Sequence, residues 1–121
     1  MSNPNEGPVG TLDLVGIDVE DMERSAQFWV ALLGLKIVSR EDDYLEFEGQ
    51  GDGPRLYVQK VPEKKTAKTR VHLDIAVQDL DIAVSRAVAL GAKKIKPFIS
   101  TGHSWVVMED PDGNEFCLTH G

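Results

Sequence analysis

Two stretches of the chain combine the apolar pattern of a strand with that of a helix. Residues 70–77 alternate between apolar and polar side chains, which is the two-residue period of a strand with two different faces. Asp79 then ends the alternation and is suited to cap a helix, and the apolar residues after it recur at helical spacing. Gly91 follows at a position where a left-handed residue is common. The pattern therefore predicts a strand joined directly to a helix.

The same pattern occurs once before in the chain. Residues 11–19 form the alternating stretch, Asp21 stands at the capping position, and residues 22–33 have the apolar spacing of a helix that ends at Gly34. A unit that occurs twice indicates duplication, because a solenoid needs more copies.

Three further strands are predicted after each helix. Their limits are residues 35–40, 44–48 and 55–60 in the first half and residues 94–99, 104–109 and 115–120 in the second. Each half is therefore β-α-β-β-β, and the predicted fold is α+β. It consists of two tandem βαβββ modules, residues 11–61 and 69–120, in a single domain over residues 11–121. Residues 1–10 are polar and contain Pro and Gly, so we expect a flexible N-terminus.

A sheet that is covered by a helix on one face leaves its other face free. In a duplicated unit, the two free faces can curve toward each other and enclose a cavity. Strand alternation places the following residues on these faces: Leu14, Gly16, Asp18, Tyr57, Gln59, His72, Asp74, Ala76, Glu115, Cys117 and Thr119. We expect a binding site among them.

Composition and charge narrow the classes of function. Apolar residues make up 41% of the chain and charged residues 27%, which is ordinary for a protein with a packed core. The formal net charge of −7 repels phosphate backbones and argues against a nucleic-acid partner. No apolar run reaches membrane-spanning length, the N-terminus lacks the apolar segment of a signal peptide, and a single cysteine cannot form an internal disulfide. We therefore expect a cytoplasmic protein without a membrane partner.

Three polar residues on the predicted free faces, His72, Cys117 and Gln59, each allow two roles, and Asp74 can assist one of them. His72 either hydrogen-bonds Asp74 or a backbone carbonyl, or serves as a ligand or a base. Asp74, two residues further on the same face, can orient His72. Cys117 is either a small buried apolar residue or a nucleophile with His72 as its base. Gln59 either completes a polar network or binds a ligand.

Three aromatic residues also allow two roles. Tyr44, Tyr57 and Trp105 either form a wall for a planar ligand or pack in the core. The sequence contains no Ser-His-acid order, no Cys-x-x-Cys motif and no dinucleotide-binding glycine motif, so it offers no standard catalytic signature.

Several short motifs occur in a familiar order. They are Val19-Glu20-Asp21 with Ser25-Ala26-Gln27-Phe28-Trp29 and Leu33-Gly34, Val71-His72-Leu73-Asp74 with Val77-Gln78-Asp79, Ala89-Leu90-Gly91-Ala92, and Asp110-Pro111-Asp112-Gly113-Asn114-Glu115-Phe116. Together they resemble the glyoxalase/bleomycin-resistance/dioxygenase superfamily, which has the vicinal oxygen chelate fold. The resemblance extends from about Thr11 to the C-terminus and is greatest to small stand-alone glyoxalase-like proteins.

This resemblance implies a metal site with ligands on the first and fourth strands of each module. The matching positions are Leu14, Gln59, His72 and Cys117. Leu14 cannot bind a metal, Gln59 replaces a carboxylate by a neutral amide, and Cys117 replaces the last Glu of the pattern. The implied cofactor is a divalent metal (Zn, Fe, Mn or Ni), with His72 as the candidate ligand. A Zn²⁺ site from His72, Cys117 and Gln59 is one form that it could take.

The leading hypothesis is a protein that binds a small molecule in a pocket between its modules and has an incomplete set of metal ligands. The expected ligand-binding residues are Gln59, His72, Asp74, Cys117, Tyr57 and Trp105. No catalytic residue is assigned. The alternative is a metal-dependent lyase, isomerase or dioxygenase of the same superfamily. A third reading is a structural or regulatory module whose pocket is filled by its own side chains. The resemblance also implies a homodimer.

Overall fold

The computed structural model describes residue 7 and residues 12–49, 51–69 and 71–120 of this 121-residue chain. The elements follow the order β1 (Leu14–Val19), α1 (Met22–Leu33), β2 (Lys36–Arg40), β3 (Tyr44–Glu48), β4 (Arg55–Lys60), β5 (Leu73–Ala76), α2 (Leu80–Ala89), β6 (Lys93–Ser100), β7 (His103–Glu109) and β8 (Glu115–His120). The α+β fold of two βαβββ modules is therefore confirmed. The expected flexible N-terminus lies outside the described residues, apart from Gly7.

Each module forms its own four-stranded sheet. The strand order is β1-β4-β3-β2 in the first sheet and β5-β8-β7-β6 in the second. In both sheets the first and fourth strands run parallel, and the other neighbours are antiparallel. A parallel pair needs a long crossover connection, of which the helix forms the first part. As a result, β1 and β5 each form one edge of a sheet.

The strand limits differ from the expected ones mainly in the second module. Only Leu73–Ala76 pair with β8, so β5 has four residues instead of the stretch over 70–77. β6 and β7 pair as far as Ser100 and His103, and this shortens the expected turn to the two residues between them. Ladder hydrogen bonds, rather than side-chain alternation, set the ends of these strands.

Aspartate residues begin both helices, as the sequence predicts. The Asp21 side chain accepts a hydrogen bond from the backbone N–H of Arg24 at 3.0 Å, and Asp79 accepts one from Ile82 at 3.0 Å. Each bond satisfies one of the N–H groups that the first turn of a helix leaves without a partner.

The two helices end differently. Gly34 adopts the left-handed conformation after α1, with a φ of 64°, and its N–H donates to the Val30 carbonyl. The residue after α2, Leu90, keeps a right-handed conformation, and Gly91 follows it with a φ of 115°. In the described part of the chain, neither helix meets the length and hydropathy needed to cross a membrane.

The helices also differ in how firmly they are packed. α1 buries Ser25, Ala26, Phe28 and Trp29. Of the 10 residues of α2, only Ala87 is buried. Trp29 is 1% exposed and packs in the core. Because tertiary packing supplies most of the stability of a helix, α1 is held more firmly than α2.

The core lies on the helix side of both sheets and continues from one module to the other. Strand side chains on this face are buried, among them Val58 in the first sheet and Phe116 in the second. The rings of Phe28 and Trp29 meet Phe116 edge to face, with centroid separations of 5.9 and 5.2 Å. The opposite face of each sheet carries the residues that strand alternation assigns to it.

The tight turn over residues 110–114 connects the two modules. Asp110 Oδ2 accepts a hydrogen bond from Trp29 Nε1 at 3.2 Å. Asp112 Oδ1 accepts hydrogen bonds at 3.0 and 3.2 Å from the backbone N–H groups of Glu20 and Asp21, just before α1. These contacts fix the second module against the start of α1 in the first.

Candidate functional site

His72, Asp74 and Cys117 come together on the free face of the second sheet. The potential ligand atoms of the three side chains lie within 4.8 Å of one another. Asp74 and Cys117 are direct partners in the β5–β8 register, and His72 lies two residues before Asp74 on the same face. His72 and Asp74 are exposed, whereas Cys117 is 5% exposed. The structure groups these three expected site residues, and their role in binding stays a prediction.

Cys117 is a poor nucleophile in this setting. Burial raises the pKa of its thiol, and the Asp74 carboxylate raises it further by its charge and by accepting a hydrogen bond from the thiol. Lys68, in the linker between the modules (residues 61–69), lowers the pKa but does not cancel these effects. The thiol therefore stays protonated at neutral pH, which argues against the nucleophilic role considered from the sequence.

The chemistry of the three side chains fits a borderline metal ion. They offer an imidazole nitrogen, a carboxylate oxygen and a sulfur, all of which Zn²⁺ accepts as ligands. Harder ions such as Mg²⁺ prefer oxygen ligands alone. Three protein ligands would leave the fourth position of a tetrahedral ion to water or substrate. Because the thiol must lose its proton, the affinity for a metal would rise with pH.

Tyr57 and Gln59 lie on the free face of the first sheet. A Cβ at Gly16 would come within 2.3 Å of Tyr57 Cζ, so the ring lies across β1 in the space that glycine leaves. Gln59 is paired with Asp18 of β1 and Tyr44 of β3, and the Tyr44 and Tyr57 rings meet edge to face at 6.3 Å. These two expected site residues therefore belong to the other sheet than the His72 group.

Trp105 stands in a row of rings on the free face of the second sheet. Its cross-strand partner Phe98 stacks on it at a centroid separation of 5.3 Å and an interplanar angle of 9°. His103 lies 5.3 Å from Trp105 with a tilt of 36°, and Lys96 Nζ lies 5.2 Å from the Phe98 centroid. Sequence reasoning singled out Trp105 but missed Phe98, although a tight turn at residues 101–102 would have placed the two rings opposite each other.

The linker between the modules is fastened to Glu115. Lys65 Nζ donates to Glu115 Oε1 at 2.9 Å, and the N–H of Thr69 donates to Oε2 at 2.9 Å. Burial by itself would raise the pKa of this carboxyl, but the hydrogen bonds from Thr69 and Lys65 outweigh it and lower the pKa to about 2. Glu115 is therefore charged and engaged in holding the linker.

Two cavities lie between β1 and β5, at the boundary of the modules. The larger has a volume of about 330 Å³, and its lining includes Val15, Ile17, Asp18, Val71, Leu73 and Glu115. The smaller has a volume of about 210 Å³ and reaches Asp74. The sequence predicted a pocket enclosed by the free faces of the two sheets, but Val15, Ile17 and Leu73 in these cavities belong to the opposite, core-facing sides of β1 and β5. Of the expected ligand-binding residues, only Asp74 lines one of the two cavities.

Comparison with known proteins supports the fold. The model of the glyoxalase-like domain family matches residues 14–119. A glyoxalase/bleomycin resistance protein/dioxygenase family enzyme from Burkholderia phytofirmans PsJN is 20% identical, with 92% of this chain and 98% of that chain covered and a TM-score of 0.78. No curated protein matches the chain.

Two further solved structures have the same architecture. The fosfomycin resistance protein FosX from Mesorhizobium loti is 18% identical, with 93% of this chain and 92% of that chain covered and a TM-score of 0.72. A lactoylglutathione lyase from Agrobacterium tumefaciens is 18% identical, with coverages of 94% and 96% and a TM-score of 0.69. At these identities the likeness shows the fold alone. With the family match over residues 14–119, the chain belongs to the glyoxalase-like domain family of the glyoxalase/bleomycin resistance/dioxygenase superfamily.

Proposed function

We propose that this protein binds a small organic molecule at the boundary between its two modules. The cavity of about 330 Å³ between β1 and β5 carries the proposal, because pockets for small molecules begin at about this size. Val15, Ile17 and Leu73 supply apolar walls, and Asp18 supplies a polar group. A mainly apolar lining with a few polar groups is typical of such pockets.

The similar proteins are compatible with this proposal. Two of them carry the names of small molecules, fosfomycin and lactoylglutathione. They share the fold with this chain at 18% identity, so the fold can hold compounds of this size. This likeness does not assign their ligands to this chain. A homodimer and a cytoplasmic location, both expected from the sequence, are part of the same proposal, and light scattering of the purified protein tests the first.

Blocking the cavity mouth tests the binding proposal. Val71 lines the cavity and is 79% exposed, so Val71→Trp should fill the mouth without disturbing the core. Ile99 is 86% exposed on β6, and Ile99→Trp is the matched control. We expect uncharged aromatic fragments, screened by ligand-observed NMR, to bind the wild type and the control but not Val71→Trp. If Val71→Trp loses none of the fragments, the boundary cavity is not the binding site.

A metal-dependent lyase, isomerase or dioxygenase is the second candidate. The separation of at most 4.8 Å among the ligand atoms of His72, Asp74 and Cys117 favours it. In this reading, Asp74 is a direct ligand and supplies the negative charge that Leu14 and Gln59 cannot give. A bound ion would supply a Lewis acid that polarises an oxygen of the substrate.

Metal analysis distinguishes the two candidates. Protein purified without chelator should contain stoichiometric Zn²⁺ if the second candidate is correct, and His72→Ala should lose it. His120→Ala is the control, because His120 lies at the end of β8 and hydrogen-bonds the Val77 carbonyl. Loading with Co²⁺ should give a thiolate charge-transfer band that Cys117→Ser abolishes. Wild-type protein that neither retains Zn²⁺ nor binds added Co²⁺ would remove the metal-dependent reading.

A further inference from the structure

We propose that Asp52 is a site of spontaneous covalent modification, at which its peptide bond to Gly53 converts to an isoaspartyl bond. This proposal does not rest on ligand binding at the boundary cavities. The chain contains two Asp-Gly pairs, Asp52-Gly53 and Asp112-Gly113. Glycine has no Cβ to hinder the approach of its amide nitrogen to the preceding side chain, so the sequence alone makes both pairs candidates. The structure separates them.

The reaction needs no partner except water. The amide nitrogen of Gly53 attacks Cγ of the protonated Asp52 carboxyl group, a C–N bond forms, and a C–O bond breaks so that water leaves with the amide proton. The product is a cyclic succinimide. Water then opens the ring, either at Cγ to restore Asp52 or at the backbone carbonyl to give isoaspartate, in which the main chain runs through Cβ and Cγ. Mass and formal charge are unchanged, and nothing is oxidised or reduced.

Both reacting groups of the Asp52-Gly53 pair are free. Asp52 and Gly53 are exposed and lie in the connection between β3 and β4. Among the described residues, neither the Asp52 carboxylate nor the Gly53 N–H has a hydrogen-bond partner. The pairing of β3 with β4 extends only to Glu46 and Tyr57, so no bond of that ladder fixes the turn. No described hydrogen bond has to break before the nitrogen reaches Cγ.

Both reacting groups of the Asp112-Gly113 pair are engaged. The Asp112 side chain is 3% exposed, and its Oδ1 accepts hydrogen bonds from three donors at the start of α1. The Gly113 N–H donates to the Asp110 carbonyl at 2.9 Å. The ring can form here only after these bonds open, and an opening free energy of about 1.4 kcal/mol already slows the reaction tenfold. The fold therefore protects Asp112 and leaves Asp52 reactive.

The modification changes the edge of a cavity and leaves the core intact. An isoaspartyl bond lengthens the main chain by one carbon atom within the turn. Gly49 and Pro54, on either side of Asp52, line the smaller boundary cavity of about 210 Å³. None of the described residues between β3 and β4 is buried. The modified protein should therefore keep the urea unfolding midpoint of the unmodified protein, because surface changes of this kind have little effect on stability.

Ageing of the purified protein at physiological temperature and pH tests the proposal. Isoaspartate is located by electron-transfer fragmentation of peptides and counted by methylation with a protein isoaspartate methyltransferase. We expect it to accumulate at least tenfold faster at Asp52 than at Asp112. Equal rates, faster conversion of Asp112, or a lower unfolding midpoint of the modified fraction would overturn the proposal.

The same ageing in urea separates the effect of the fold from that of the local sequence. Unfolding frees the carboxyl group and the amide nitrogen of both pairs, so the rates at Asp52 and Asp112 should become similar. A tenfold preference for Asp52 that persists in the unfolded chain would contradict the protection that the fold is proposed to give.

A pair of alanine variants tests the attacking atom. A Cβ at Gly53 meets no atom within 4 Å, so Gly53→Ala should fold normally while its methyl group hinders the nitrogen and slows modification of Asp52 several-fold. Gly49→Ala is the matched control, because it adds the same methyl group in the same connection, at an ordinary contact of 3.4 Å from Arg55 Cγ. It should modify at the wild-type rate. Equal rates in the two variants would show that the Gly53 nitrogen is not the nucleophile.

Discussion

Single carboxylate groups hold together segments that are far apart in the chain. Glu115 binds two residues of the linker, and Asp110 binds Trp29 in the other module. The folded structure shifts the pKa values of these two carboxyl groups in opposite directions. Burial raises the pKa of Asp110, and the hydrogen bonds from Asn114 and Trp29 offset this only in part. For Glu115 the hydrogen bonds outweigh the effect of burial, so its ionised form stabilises the native state.

The stability of the protein should therefore fall in acid through Glu115. Its pKa is lowered in the folded state from 4.5 to about 2, so its contribution is complete above the unfolded value and is lost as the pH falls through that interval. Glu115→Gln should lower the free energy of unfolding by about 1–2 kcal/mol at neutral pH. It should also flatten the acid limb of the stability curve, which is the fall in the free energy of unfolding at low pH. Urea unfolding across this pH range measures both effects.

An exposed glutamate of the same linker provides the control for that experiment. Glu63→Gln removes one negative charge from the linker but keeps the hydrogen bond between Lys65 and Glu115. It should therefore leave the acid limb unchanged. If the curves of the wild type and Glu115→Gln run parallel between pH 4.5 and pH 2, the hydrogen bonds to Glu115 do not stabilise the fold.

Among the elements, the two helices are alike in their caps and unlike in their packing. Asp21 and Asp79 cap them in the same way. α1 buries four side chains, including Phe28 and Trp29, whereas α2 buries Ala87 alone. Local opening is easier where few apolar contacts must break.

We expect α2 to open before α1. In native-state hydrogen exchange, the amides of α2 should exchange at least tenfold faster than those of α1, since a loss of about 1.4 kcal/mol of packing gives that factor. Mass spectrometry of peptides from each helix measures the difference. Equal protection of the two helices would show that packing beneath them, and not the count of buried side chains, decides their stability.

The helix limits were predictable because their signals are local. Asp21 and Gly34 bracket α1, and each acts on backbone groups within a few residues of itself. The limits of β5 were not predictable, because each residue of Leu73–Ala76 pairs with a residue 43 positions later in the chain, as Leu73 does with Phe116. Side-chain alternation carries no information about where that pairing stops.

The candidate site was predictable only as far as its signals are local. Alternation and the resemblance pointed to His72 and Cys117, and alternation placed Asp74 on their face. That Asp74 stands directly opposite Cys117 depends on the β5–β8 register, which no local signal gives. The contacts of Lys65 and Thr69 with Glu115 depend on the path of the linker across the second sheet.

At the scale of the whole molecule, the turn over residues 110–114 holds the modules together. The Asp112 side chain is 3% exposed, and its Oδ1 accepts hydrogen bonds from Glu20 N, Asp21 N and the Arg24 guanidinium. All three donors belong to the other module. The turn therefore links the modules independently of the linker that joins them covalently.

Removing this carboxylate should weaken the whole fold. We expect Asp112→Ala to lower the free energy of unfolding by about 1–2 kcal/mol, because it removes three hydrogen bonds between the modules, one of them from a charged guanidinium. Asp112→Asn keeps one acceptor oxygen and should cost less. Asp52→Ala, in an exposed loop, should change the stability by less than about 0.5 kcal/mol. In urea unfolding, equal midpoints for Asp112→Ala and Asp52→Ala would contradict this role.

The close approach of Tyr57 to Gly16 has a consequence for the evolution of this domain. Because the ring occupies the space that a Cβ at position 16 would need, a lineage cannot acquire a side chain there without first shrinking or turning the residue at position 57. The two positions, one on β1 and the other on β4, should therefore change together across homologous sequences, as a compensating pair rather than as independent sites.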